Sequence, residues 1–157
     1  MKTSIEVANV LFQNNLSEIL LLQRSPQLKS PYIWGMPGGM VDEGETALRA
    51  AMRELKEETG IGEGSLTIAG IKKFLVETPE QDIRLTNIHA TTSQPNTPVY
   101  LDPNEHMAYK WATEMDVYSS ADLLAGSPTM IAAMLHHDDN FKVVDLTISA
   151  DVSVTLL

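Results

Sequence analysis

Residues Pro37 to Ile61 read PGGMVDEGETALRAAMRELKEETGI, and this stretch decides both the fold and the chemistry. Written as spacings it runs Gly39, five residues, Glu45, seven residues, Arg53-Glu54-Leu55, one residue, Glu57-Glu58, one residue, Gly60-Ile61. From Thr46 to Thr59 the sequence reads as a helix, because Leu48, Ala51, Met52 and Leu55 recur three and four residues apart and form one apolar stripe. Gly60 stops it in the manner of a left-handed C-terminal cap. On that helix Glu54, Glu57 and Glu58 stand at i, i+3 and i+4, so their carboxylates share a face roughly 100° wide. Three like charges this close repel one another and destabilise the helix unless a cation compensates. Hard oxygen ligands of this kind suit Mg2+ or Mn2+ rather than zinc.

Ahead of the helix, Pro37-Gly38-Gly39 offers backbone that a ligand or metal can approach closely, and a carbonyl there, at Gly38, completes a coordination shell. Arg53 precedes Glu57 by four residues and adjoins Glu54, which predicts an ion pair with one of the acids. A glutamate-rich helix on its own is most often a solvated face. Here seven positions each demand one residue of roughly 6% background usage, so a chance match is expected in fewer than about one sequence in a million.

The pattern is that of the Nudix box, and most of the chain resembles the Nudix hydrolases in its order of elements. The resemblance implies an α/β (α+β) fold, an α/β/α sandwich with a mixed sheet between helices. It makes Glu57 and Glu58 the principal metal ligands and Glu54 a further ligand or the general base. Glu45 then supports the metal through water, and Arg53 orients Glu54. An acid from a later loop supplies another ligand or the base in many such enzymes, and Glu105 in Leu101-Asp102-Pro103-Asn104-Glu105-His106 is the candidate. Arg24, at the end of the second strand, is the candidate phosphate partner, with Gly39 beside the substrate and Arg84 a weaker candidate of the same sort.

The activity the resemblance implies is metal-dependent attack of water on a nucleoside diphosphate linked to another group. ADP-ribose-specific members tend to carry a proline about fifteen residues beyond the box, and Pro79 lies too far along, which favours a nucleoside triphosphate as substrate. Nucleotide sugars, ADP-ribose and dinucleoside polyphosphates are the alternatives. A nucleotide-binding module without catalysis would show eroded glutamates, and all four remain. Isopentenyl diphosphate isomerases share the fold but depend on a cysteine, which this chain lacks.

Composition agrees. With 21 acidic against 11 basic residues in 157 the net charge is −10, which argues against a nucleic-acid polymer or an anionic membrane as partner. A negative protein that takes negative phosphates needs a cation between them. The absence of cysteine excludes disulfides and thiolate sites and is compatible with a reducing cytoplasm. No run reaches membrane-spanning length, and a soluble cytoplasmic protein is expected.

The remaining sequence predicts a single domain over 1–157. Strands are expected at Ser4 to Phe12 and Glu18 to Arg24 around a turn at Asn14-Asn15, followed by a loop and a short extended piece at Trp34-Gly35-Met36. Leu66 to Glu77 and Ile83 to Thr92 read as a hairpin around Thr78 to Gln81, and Ala108 to Ala112 as a further strand. Ser93 to Pro103, with three prolines, reads as irregular. Ser120 to Ala125 and Pro128 to His136 read as helices. Trp111 reads as core packing, and His136-His137-Asp138-Asp139 as a solvated helix end. The alternating tail, 141–157, has strand character and should pair as an added edge strand or a homodimer contact.

Overall fold

The computed structural model describes residues 2–157 except Pro95 and Asp139. Strands β1 (Thr3–Gln13) and β2 (Ile19–Arg24) are joined by a turn in which the Asn14 side chain accepts from the Leu16 and Glu18 amides, both at 2.9 Å. This is the local bonding that lets an asparagine hold a chain reversal. The short strands β3 (Trp34–Gly35) and β4 (Gly38–Met40) follow, then helix α1 (Ala47–Thr59). The long hairpin β5 (Thr67–Glu77) and β6 (Gln81–Thr91) turns at Thr78, whose amide and hydroxyl both donate to the Gln81 carbonyl. Next come β7 (His106–Ala112), α2 (Glu114–Tyr118), α3 (Ser127–Leu135) and β8 (Ser153–Leu156).

These strands form one mixed eight-stranded sheet. Its main path is β3-β2-β1-β6-β5-β8, with β4 beside β1 and β7 beside β2. β1 and β6 run parallel over the whole of β1, and the other pairings are antiparallel. Alternation along β1 sends Ala8, Val10 and Phe12 to the face under α1, where they meet Leu20, Leu22, Leu55, Ile88 and Ala90. Leu11 faces the other way, among Leu21, Phe74, Leu85, Met130, Ile131 and Met134, beneath α3. Each fully buried leucine or phenylalanine contributes roughly 2 kcal/mol, so both faces are anchored and the register is fixed.

Two expectations fail for identifiable reasons. Ser120 to Ala125 is not helical: the Trp34 amide bonds the Asp122 carbonyl and the Leu124 amide bonds the Trp34 carbonyl, both at 2.9 Å, so the segment lies against β3 and buries Leu123. The helix in this region is instead α2, started by a reciprocal cap between Thr113 and Asp116. On α1, Leu48 is 40% exposed and Ala50, fully buried, takes its place in the stripe.

Only Ser153 to Leu156 of the tail is a strand, antiparallel to β5 at the sheet edge. Upstream of it, Asp145 accepts from Thr129 and Thr147, and Val152 and Val154 pack onto the core under α3. Trp111 packs on Phe12, with ring centroids 5.8 Å apart. His136 stacks on Phe141 and bonds Glu114, while His137 and Asp138 are exposed and Asp139 lies outside the described residues. Among the described residues no helix is long and apolar enough to cross a membrane.

Candidate active site

The site begins where α1 meets β4. Thr46 caps the helix by accepting from the Arg49 amide, and Gly60, at φ 77°, closes it by donating to the Lys56 carbonyl at 2.8 Å. Gly38 is required by space, and Gly39 leaves the Glu54 carboxylate where it stands. A Cβ on Gly39 would stand 2.5 Å from the Glu54 Oε1, and one on Gly38 would stand 2.4 Å from the Ala8 carbonyl oxygen. The glycine pair lets β4 lie between β1 and the acids of α1.

Arg53 binds the loop to the helix. Its Nε and Nη2 grip Glu45 in a two-pronged pair at 2.8 and 2.9 Å, Nη1 bonds Glu54 at 2.9 Å and reaches Glu57 at 3.4 Å, and Nη2 also donates to the Met40 carbonyl. Both Glu45 oxygens are therefore engaged, and the Arg53 guanidinium together with the Asp42 amide holds its carboxyl down to about 2. Glu45 is a permanently ionised anchor for Arg53.

Glu58 diverges from its neighbours. Its Oε1 accepts from the Gly38 amide at 2.8 Å, and its Oε2 lies 3.4 Å from His106 Nδ1. Burial pushes this carboxyl up to about 8, with the charges of Glu54, Glu105 and Glu57 adding to the shift and the Gly38 amide opposing it. Partial burial also raises Glu54, against the pull of Arg53. The i, i+3, i+4 acids therefore split into two groups, Glu54 and Glu57 toward Arg53, and Glu58 toward β7.

Glu105 arrives from the loop before β7. That loop is held by Asp102, whose side chain accepts from the Asn104 amide and whose carbonyl accepts from Glu105 and His106. Ser25 ties it to β2 by donating to the Glu105 and Asn104 carbonyls. Glu58, Glu105 and His106 each present a ligand atom within 4.8 Å of the others. His106 escaped the sequence reading because a single histidine carries no periodic or spacing signal; its adjacency to Glu105 was the only clue. Burial lowers its basicity, and the nearby Arg24 charge adds to this, so its neutral form keeps a lone pair.

Arg24 is the sheet partner of His106, at an irregularity in the β2–β7 register, and its Nε donates to the Lys29 carbonyl. Arg84 is exposed on β6, across from Glu6 in the β1 register, with no ion pair among the described residues. A model of the NUDIX domain matches residues 3–134.

The chain belongs to the Nudix family. It is 39% identical over 101 residues to the asymmetrical bis(5'-nucleosyl)-tetraphosphatase of Mus musculus, a match covering 62% of this chain and 65% of that protein. It is 62% identical over 37 residues to an RNA pyrophosphohydrolase of Rhizobium meliloti, covering 24% of this chain and 22% of the relative. The structure of a C. elegans Ap4A hydrolase binary complex superposes with a TM-score of 0.70 at 31% identity, covering 83% of this chain and 97% of that one. The chain thus spans less than two thirds of the length of the curated relatives it matches. The mixed sheet between flanking helices is the architecture of these Nudix neighbours.

The residues fit the divalent ion the family implies. The acids converge without enough positive charge to balance them. Glu58 is buried at 2% exposure with no guanidinium of its own, and the imidazole beside it has an unpartnered nitrogen. A group of hard oxygens with little solvent is a Mg2+ or Mn2+ environment.

Proposed function

We propose that this Nudix protein hydrolyses a phosphoanhydride bond in a nucleoside polyphosphate, with Mg2+ or Mn2+ as cofactor. The observation that carries this reading is the gathering of Glu54, Glu57, Glu58 and Glu105 around one end of α1, opposite the glycine pair. Glu57, Glu58, Glu105 and the Gly38 carbonyl would hold the ion. When bound, the ion supplies charge neutralisation of the polyphosphate and a lowered pKa for water.

Glu54 takes the proton of the attacking water. Partial burial makes it a stronger base than an exposed acid, and the Arg53 bond at 2.9 Å fixes Oε1 so that the carboxylate faces one way. Arg53 is in turn held by Glu45, which positions the base without taking part in proton transfer. Arg24, beside His106 on the neighbouring strand, would receive a substrate phosphate.

The likeness to the mouse tetraphosphatase and the worm Ap4A hydrolase supports a dinucleoside polyphosphate as the first substrate. The spacing of Pro79 from the box supports a nucleoside triphosphate as the second. Incubation of the purified chain with dinucleoside tetraphosphate, nucleoside triphosphates, nucleotide sugars and ADP-ribose, with and without Mg2+ or Mn2+, decides between them. Asymmetric cleavage of the first gives a nucleoside triphosphate and a monophosphate. Absence of metal-dependent turnover on any of these refutes the hydrolase reading. Glu54→Gln should lower kcat by about 10²- to 10⁴-fold and Glu105→Gln by less, and the reverse order moves the base to Glu105.

A further inference from the structure

His106 is 8% exposed and stands at the first position of β7, its backbone fixed by the Asp102 carbonyl and by pairing with Arg24. Its Nδ1 is buried, has no hydrogen-bond partner among the described residues, and lies 3.4 Å from Glu58 Oε2. At that distance and alignment the two atoms neither bond well nor separate. An unpartnered ring nitrogen inside a protein normally costs stability, so its position asks for a reason.

Geometry supplies one. Two donors bound to one small divalent ion at about 2.1 Å each, and at right angles, lie about 3 Å apart, and opposite donors lie about 4.2 Å apart. The 3.4 Å between His106 and Glu58 is near the spacing of adjacent donors, and Glu58, Glu105 and His106 all fall within 4.8 Å, a little wider than opposite donors, so a small inward movement closes them on a single ion. Neighbouring residues on a regular strand point to opposite faces. Glu105 precedes β7 in a tight turn, and the β2–β7 register shifts at Arg24, so the usual alternation does not hold the two side chains apart.

We infer that His106 Nδ1 is a nitrogen ligand, and that Glu58, Glu105 and His106 form a two-carboxylate, one-imidazole cation site that selects Mn2+ over Mg2+. Magnesium takes oxygen donors and keeps its waters, whereas imidazole favours the first-row transition ions. The inference rests on the cation-dependent reading above and adds to it a named nitrogen ligand and a metal preference.

The probe is Mn2+ alone, added to the purified full chain without nucleotide. Titration followed by continuous-wave electron paramagnetic resonance counts bound Mn2+, and pulsed measurements read hyperfine coupling to a directly bound ¹⁴N. The unmutated chain should show that coupling, and His106→Gln should lose it together with about 10- to 100-fold in Mn2+ affinity. Mg2+ affinity should change less than about threefold. To guard against a variant that folds poorly, the unmutated chain labelled with ¹⁵N-histidine is titrated with substoichiometric Mn2+. Of its 4 histidines, His106 should lose its ring signals first. Bound Mn2+ without nitrogen coupling, or coupling that survives His106→Gln, overturns the nitrogen ligand and leaves the hydrolase reading standing. No Mn2+ uptake at all overturns the nitrogen ligand, and the hydrolase reading falls with it only if Mg2+-dependent turnover is absent too.

Discussion

Replacing Glu58 with glutamine should make the cation-free protein more stable at alkaline pH while abolishing its chemistry. The carboxyl is 2% exposed, and burial holds it protonated up to about 8 rather than the ordinary 4.5. A group whose pKa is raised by folding stabilises the fold in its protonated form. That contribution is complete below about pH 4.5 and is lost as pH rises through about 8. The difference between these values, at about 1.4 kcal/mol for each pKa unit, gives an upper figure of about 5 kcal/mol for ionising Glu58 inside the folded chain. For a domain of this size that is a fall in Tm of about 10–20 °C. Glutamine keeps an oxygen for the Gly38 amide and carries no charge to bury. Thermal unfolding in a chelator, from pH 5 to pH 9, should show the unmutated protein losing most of this stability and Glu58→Gln losing little. Saturating Mg2+ or Mn2+ should restore the unmutated protein alone, by binding the folded state. Equal pH dependence of the two proteins in chelator would show that the Glu58 environment is not the one described.

Arg53→Lys keeps a charge but cannot grip Glu45 with two prongs while reaching Glu54, so kcat should fall about 10- to 100-fold with KM nearly unchanged, as steady-state kinetics will show. Gly39→Ala puts a methyl 2.5 Å from Glu54 and should displace that carboxylate, lowering activity at least about tenfold with a shift in Tm of only a few degrees. Val154→Asp removes an apolar contact on the core under α3 and should cost about 2 kcal/mol in urea unfolding without altering kcat.

The sequence carried the parts of the fold that rest on periodicity. α1 declares itself by its stripe and its glycine stop, and β5 and β6 by two long β-branched runs around Thr78 to Gln81. What was not legible depends on partners far along the chain. Leu123 looks helical by composition, yet its neighbours' backbone bonds are made by Trp34. Leu48 fits the helical stripe, but the α1 face that meets the sheet is rotated toward Ala50, a choice made by Ala8, Val10 and Phe12. In the site, spacing placed Glu54, Glu57 and Glu58 on one helix face, but not their division between Arg53 and His106. A three- or four-residue spacing fixes where side chains leave the helix; where they end is set by β4 and β7.

The parallel pairing of β1 with β6 has a consequence for how this molecule comes into being. Thr3 lies across from Gln81, 78 residues later, and the strands between them that β1 also meets are short. During synthesis the acidic helix therefore leaves the ribosome before the central strand has found its longest neighbour. Contacts between residues so distant in sequence are reached late, since closing a long loop costs entropy before any bond rewards it. The nascent chain thus carries the acids of α1 in open solvent, and Glu105 joins Glu58 only when the second half of the sheet closes.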